Sequence, residues 1–263
     1  MQPEKGMRVV YQNAMSIWKE IPAESSTRLS QVRFEGILFA QRFFMPTKNQ
    51  DLHGMVPDHS GVVLLLIDVI NDLEWPDADK LLPFALPMAQ RIRDLKERVT
   101  QGNIPTIYVN DNFGQWRSDA RALIKHCLAD DVRGQPIVEL LQPDKDDYFV
   151  LKPKHSGFFS TNLDILLDYL GAKTLILTGM AGDVCVLFTA NDAYMRDFQI
   201  FVPRDCLASN TQAANENALA LMNRVLKADI RPSTELDLND LKHQAENEDA
   251  SKIKSDSPEM AMH

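Results

Sequence analysis

Cys185 closes the stretch Thr174-Leu-Ile-Leu-Thr-Gly-Met-Ala-Gly-Asp-Val-Cys185, an apolar run that passes into a glycine-punctuated turn. This pattern predicts a buried strand, a tight turn and a helix beginning at the cysteine. Unpaired backbone N–H groups and the positive end of the peptide dipole at a helix start favour a thiolate, so Cys185 is a candidate nucleophile. Two more reactive side chains occupy equivalent places. Asp68 directly follows the apolar run Val62–Ile67, and Lys152 follows Tyr148-Phe-Val-Leu151. In open parallel sheets ligands bind outside the carboxyl ends of the strands, which would bring the three into one crevice. A carboxylate as base, an ammonium beside the sulfur and a thiol to attack an electrophilic carbon form a chemically sufficient set. Each has a plainer reading when taken alone. Asp68 could cap a turn, Lys152 could be solvated, and Cys185 could be a small core residue. Their recurrence at three strand ends favours the functional reading.

The elements that would position them alternate along the chain. The run 62–67 is continuously apolar, as expected of a strand buried on both faces. Residues 80–101 carry Leu82, Leu86, Ala89, Ile92 and Leu95 at helical spacing, and Gly102-Asn103 ends that helix. Strands are predicted at 105–109, 148–151, 174–178 and 199–202, with a short sixth at 228–230. Helices are predicted at 120–129, 162–170, 185–197 and 213–225. Strands separated by helices imply right-handed crossovers and a mostly parallel α/β sheet covered on both faces.

The 263 residues suffice for one large α/β domain or two small ones. A net charge of −9 argues against nucleic acid or an anionic membrane as the main partner. No apolar run reaches the length of a membrane-spanning helix, and the N-terminus lacks the order of a secretory signal. Cys127, Cys185 and Cys206 are odd in number and form no C-x-x-C pair, which fits free thiols and a cytoplasmic location. Residues 1–44 read as an N-terminal extension, disordered or non-native, with Met45 as the expected native start. Residues 45–232 carry the regular pattern. Residues 233–263 hold eight acidic side chains against three lysines and read as a mostly disordered, solvated tail.

Three stretches in order carry a resemblance. Leu65-Leu-Ile-Asp68-Val, Lys152-Pro-Lys-His-Ser156-Gly-Phe158-Phe-Ser-Thr161 and Thr178-Gly-Met-Ala-Gly-Asp-Val-Cys185-Val with Thr189-Ala-Asn-Asp-Ala193 resemble the isochorismatase-like cysteine hydrolases. The resemblance implies a three-layer αβα sandwich with a six-stranded parallel sheet and an Asp68–Lys152–Cys185 catalytic triad. It further implies that Asp68 takes the thiol proton, that Lys152 stabilises the thiolate, and that Cys185 forms an acyl-thioester. Backbone N–H groups of Ala181 and Cys185 would hold the oxyanion. A non-proline cis peptide would fall at Met180–Ala181, and the protein would be a homodimer or homotetramer without a cofactor.

Two departures narrow the reading. Nicotinamidases, which are similar, add a metal site on an Asp-x-His pattern after the second strand. Here Asp111 has a counterpart, but Phe113 stands where the first histidine would be. One carboxylate cannot replace an imidazole-rich ligand set, so no catalytic metal is expected. Ether-cleaving isochorismatases generally lack the cysteine, so Cys185 favours cleavage of a C–N bond in a small amide or carbamoyl substrate. A vinyl-ether hydrolase and a catalytically silent small-molecule-binding relative are the alternatives. Asn71, Trp75, Asn112, Trp116 and Phe158 flank the presumed crevice and are candidate substrate contacts, with packing beneath the loops as the plainer reading. His155 is expected at the rim, Arg117 in solvent, and Cys127 and Cys206 in structural positions.

Overall fold

The computed structural model describes residues 59–112 and 119–256. The first strand, β1 (Val62–Ile67), shows why a continuous apolar run is needed. Val62, Leu64 and Leu66 enter one core, while Val63, Leu65 and Ile67 enter another on the opposite face. Successive side chains of a strand point to opposite sides, so a central strand between two helical layers must be apolar throughout.

The remaining elements follow as α1 (Ala78–Gln101), β2 (Thr106–Asp111), α2 (Ala120–Ala129), α3 (Gln135–Leu140), β3 (Tyr148–Lys152) and α4 (Leu163–Leu170). Then come β4 (Thr174–Met180), a π-turn at Gly182–Val186, α5 (Leu187–Tyr194), β5 (Gln199–Phe201), β6 (Leu207–Ala208), α6 (Gln212–Leu226) and α7 (Leu238–Asp256). The strands are ordered β3-β2-β1-β4-β5, with β6 also pairing to β4, and all the pairings are parallel. Helices α1, α2, α3 and α7 bury side chains in one core; α4, α5 and α6 bury theirs in the other. This is the expected six-stranded αβα sandwich.

Three details differ from expectation. The sixth strand is Leu207–Ala208, which extends β4 pairing at Gly179 and Met180. Residues 228–230 contribute only the isolated bridge between Phe201 and Asp229. Helix α3 was not anticipated.

The largest difference lies beyond residue 232. Instead of remaining solvated, the segment forms a 3-10 turn at Ser233–Glu235 followed by α7. Leu236, Leu241 and Ala245 are buried in the core. Arg98 donates to the carbonyls of Ser233 and Leu236 at 2.8 and 2.6 Å, and Lys242 donates to the Gly102 carbonyl at 2.9 Å. Asp237 starts the helix by accepting from the backbone N–H groups of Asn239 and Asp240. A few apolar residues at helical spacing therefore outweigh an acidic average, with Asp240 and Glu246 left exposed. The N-terminal extension, Met45 and residues 257–263 lie outside the described residues. No helix among the described residues is long and apolar enough to cross a membrane.

Candidate active site

The site forms where β1, β3 and β4 end. Asp68 leaves β1 in the left-handed region, at φ 54°, a conformation that aspartate tolerates better than most residues. Its backbone N–H donates to the Val109 carbonyl, and its Oδ1 accepts from the Asp111 N–H at 2.7 Å. The residue is thereby held at its backbone and at one carboxylate oxygen. Lys152, the last residue of β3, is completely buried and places Nζ 2.8 Å from Asp68 Oδ2. The same nitrogen lies 3.5 Å from Cys185 Sγ and 3.6 Å from Asp111 Oδ2. Asp68, Lys152 and Cys185 are thus brought together from three strand ends.

Backbone geometry at β4 makes this convergence possible. Gly179 adopts φ 115°, and a Cβ there would lie 2.1 Å from the Ile67 carbonyl oxygen, so only glycine fits beside the end of β1. The Met180–Ala181 peptide is cis. The Ala181 carbonyl accepts from the N–H groups of Val184 and Val186, which folds the π-turn carrying Cys185. Asp183 N–H donates to Ser209 Oγ at 3.2 Å. Thr189 Oγ1 donates to the Cys185 carbonyl at 2.7 Å and accepts from Gly157 N–H at 3.0 Å. Ser156 Oγ donates to Asp192 Oδ2, so the loop after Lys152 is locked to the helix after Cys185. The second and third sequence motifs are two halves of one hydrogen-bonded joint.

Burial dominates the protonation of the group. It raises Asp68 above the usual carboxylate range, although Lys152 opposes the shift. Burial also works against the Lys152 ammonium, but the neighbouring Asp68 and Asp111 carboxylates oppose it, and Lys152 is held above its ordinary value. The Cys185 thiol is pushed up to about 12, first by burial and then by the Asp68 charge, with Lys152 pulling the other way. These surroundings oppose the thiolate that a helix terminus alone would favour. With the thiol raised in this way, a base is needed to deprotonate the sulfur during reaction.

The expected substrate contacts separate. Phe158 is core: 5% exposed, packed against Phe198 at 6.1 Å and covered by the Arg196 guanidinium at 4.6 Å. It anchors the loop from below. Asn71 is buried and its Oδ1 accepts from Leu73 N–H at 2.9 Å, shaping the turn after Asp68. Trp75 is partly buried against the α1 side of the core. Asn112 is buried and donates its N–H to the Lys152 carbonyl at 3.1 Å. Trp116, Phe113 and Arg117 lie outside the described residues. Asn110 was missed: its fully buried amide both accepts from and donates to the Ile70 backbone, clamping the turn after Asp68. A lone asparagine at an apolar strand end is the signal that could have revealed it.

His155 stands at the rim, as expected, but closer to the sulfur than its place in the loop implied. Its Nδ1 lies 4.0 Å from Cys185 Sγ and its ring tilts against Phe188 at 5.6 Å. Asp111, matched above to a metal-binding carboxylate, faces the Lys152 ammonium. Among the described residues, no three His, Cys, Asp or Glu side chains form a metal-holding group. A cavity of about 560 Å³ lies apart from these groups, between α1 and the start of α6, with Arg91, Arg204 and Ser209 in its wall.

The isochorismatase domain family matches residues 62–230, and the chain belongs to this family of hydrolases. An isochorismatase family protein of Bacillus subtilis, YaaI, is 42% identical over 167 residues, covering 64% of this chain and 91% of that protein. The isochorismatase of the same organism is 30% identical over 189 residues, covering 68% of this chain and 59% of that enzyme. Among solved structures, N-carbamoylsarcosine amidase from Thermoplasma acidophilum superposes with a TM-score of 0.54 at 28% identity. The match covers 67% of this chain and 98% of the amidase.

Proposed function

We propose that this hydrolase is a metal-independent cysteine amidohydrolase that cleaves a C–N bond of a small amide or carbamoyl substrate. The observation that carries the reading is the contact of Cys185 Sγ with a lysine ammonium at 3.5 Å that is itself paired to Asp68 at 2.8 Å. Asp68 takes the thiol proton as Sγ bonds to the substrate carbonyl carbon, and Lys152 offsets the negative charge that develops. Backbone N–H groups of Ala181 and Cys185 receive the oxyanion. Asp68 then protonates the departing nitrogen as the C–N bond breaks, leaving an acyl-thioester. Water hydrolyses that thioester and restores the thiol.

The similarity to N-carbamoylsarcosine amidase supports the carbamoyl class of substrate. The 30% identity to an isochorismatase keeps vinyl-ether cleavage as the second reading. A homodimer or homotetramer belongs to the proposal through the family resemblance, and a cytoplasmic location through the three free thiols.

Ammonia release from a panel of small amides and N-carbamoyl compounds, compared between wild type and Cys185→Ala, tests the reading. Turnover lost in Cys185→Ala supports it. Hydrolysis of isochorismate that survives in Cys185→Ala overturns it in favour of ether cleavage.

A further inference from the structure

Proton traffic on the buried side of Cys185 is accounted for by Asp68 and Lys152, which are almost wholly enclosed. The attacking water of the second half-reaction, however, arrives from solvent, on the face of the sulfur away from that pair. Among the described residues, one titratable side chain outside the Asp68–Lys152 pair is placed against the sulfur. His155 is exposed, three residues beyond Lys152, with Nδ1 at 4.0 Å from Sγ.

Its placement is fixed from both sides. Lys152 anchors the chain before it through the ion pair with Asp68, and the Ser156 and Gly157 bonds to Asp192 and Thr189 anchor the chain after it. The imidazole rests on the Phe188 ring, which belongs to the helix that follows Cys185. No carboxylate among the described residues lies within ion-pair distance of it, so its contacts are Cys185 and an aromatic face. An imidazole has a ring nitrogen that can accept a proton and then return it.

We propose that His155 is a catalytic residue of thioester hydrolysis, a division of labour in which Asp68 serves acylation and His155 serves deacylation. Neutral His155 accepts a proton from water as the water oxygen bonds to the acyl carbon. The C–S bond then breaks, the electron pair returns to Sγ, and the imidazolium gives its proton to the sulfur. Acid, thiol and neutral imidazole are regenerated without any other reactant. The inference rests on the acyl-thioester reading above.

The test uses p-nitrophenyl acetate, an activated ester that reports the two half-reactions without knowledge of the natural substrate. Acylation appears as a burst of p-nitrophenol and deacylation as the steady rate that follows. In the full-length protein, His155→Gln is expected to keep a burst of one equivalent per chain while the steady rate falls about 100-fold. Added imidazole should restore much of that rate, which a structural role would not explain. Acetyl on the Cys185 peptide, detected by mass spectrometry after acid quench, should accumulate in the variant. A steady rate within twofold of wild type, or a loss that imidazole does not rescue, overturns the role of His155. Release of p-nitrophenol by wild type no faster than by Cys185→Ala, with no acetyl on the Cys185 peptide in wild type or His155→Gln, overturns the acyl-thioester reading instead, and the two failures are thereby distinct.

Discussion

Asp68 Oδ2 and Lys152 Nζ meet at 2.8 Å in surroundings that leave the lysine side chain wholly buried and the aspartate 8% exposed. Charges so enclosed are tolerated because each satisfies the other, and removing one strands its partner. Lys152→Met is expected to lower unfolding free energy by about 3–5 kcal/mol. Asp68→Asn combined with Lys152→Met should cost less than the sum of the two single changes. Urea denaturation of the four proteins checks this, and additive losses would show that the pair is not coupled.

The thiol is the group most sensitive to that pair. The Asp68 charge helps to hold Cys185 at about 12, against an ordinary value of 9.0, while Lys152 works the other way. Alkylation of Cys185 by iodoacetamide at pH 8.5 is therefore expected to be slow in wild type and slower still in Lys152→Met. In Asp68→Asn it should accelerate about tenfold, even though turnover is lost, because the sulfur ionises more easily without the neighbouring carboxylate. Peptide mass spectrometry over time measures all three rates. Faster labelling in Lys152→Met than in wild type would contradict the electrostatic arrangement.

Raised thiol values also make stability fall in alkali. Between pH 9 and 12 the unfolded chain releases the Cys185 proton that the folded chain keeps, so rising pH favours unfolding across that window. Lys152 acts with the same sign above its ordinary value of 10.5, and Cys127, pushed up to about 11 by burial, adds to the slope. Cys185→Ala should flatten stability against pH by up to one proton within this range, and leave it unchanged below pH 9. Denaturation series in reducing buffer supply the measurement, and an unaltered slope would mean that the thiol is not held protonated by the fold.

Gly179 offers a purely steric prediction. An alanine Cβ would sit 2.1 Å from the Ile67 oxygen on a backbone at φ 115°. The expected loss is about 3 kcal/mol or more, a drop in Tm of about 6–12 °C for a domain of this size. A calorimetric shift under about 3 °C would show that the strand ends can part at little cost.

Thr189→Val keeps the side-chain shape but removes the bridge from Gly157 N–H to the Cys185 carbonyl. Turnover is expected to fall about tenfold with KM little changed, because the joint positions the nucleophile and does not touch substrate. Steady-state kinetics on whichever amide is found decide this, and a rise in KM alone would point to a binding role.

What could be read in advance depended on how much of each element's signal was local. The runs 62–67 and 174–178 are apolar because both faces are buried, and the strands begin where those runs begin. The three reactive residues were legible because strand ends are where side chains leave a sheet. Strand β6 was not, since two residues carry no periodicity and their pairing depends on where β4 happens to extend. Phe158 misled because an aromatic residue in a site loop looks the same in sequence whether it faces ligand or core. Composition hid α7, although Leu238, Leu241 and Ala245 fall at helical spacing behind Asp237. The worth of His155 depended on the approach of the turn that carries Cys185, a distance that spacing along the chain does not encode.

Helix α7 has a consequence for how such a protein can change. Ala245 lies against Gly61, just before β1, where a Cβ would come within 2.5 Å of it; Asp68 follows the other end of the same strand. One short strand therefore has a clasp at its entrance and a reagent at its exit. Loops at the exit can be rewritten for a new substrate without loosening the clasp, and the clasp can drift without disturbing the chemistry. Selection for what the enzyme cleaves and selection for how long it lasts then act on separate sets of residues.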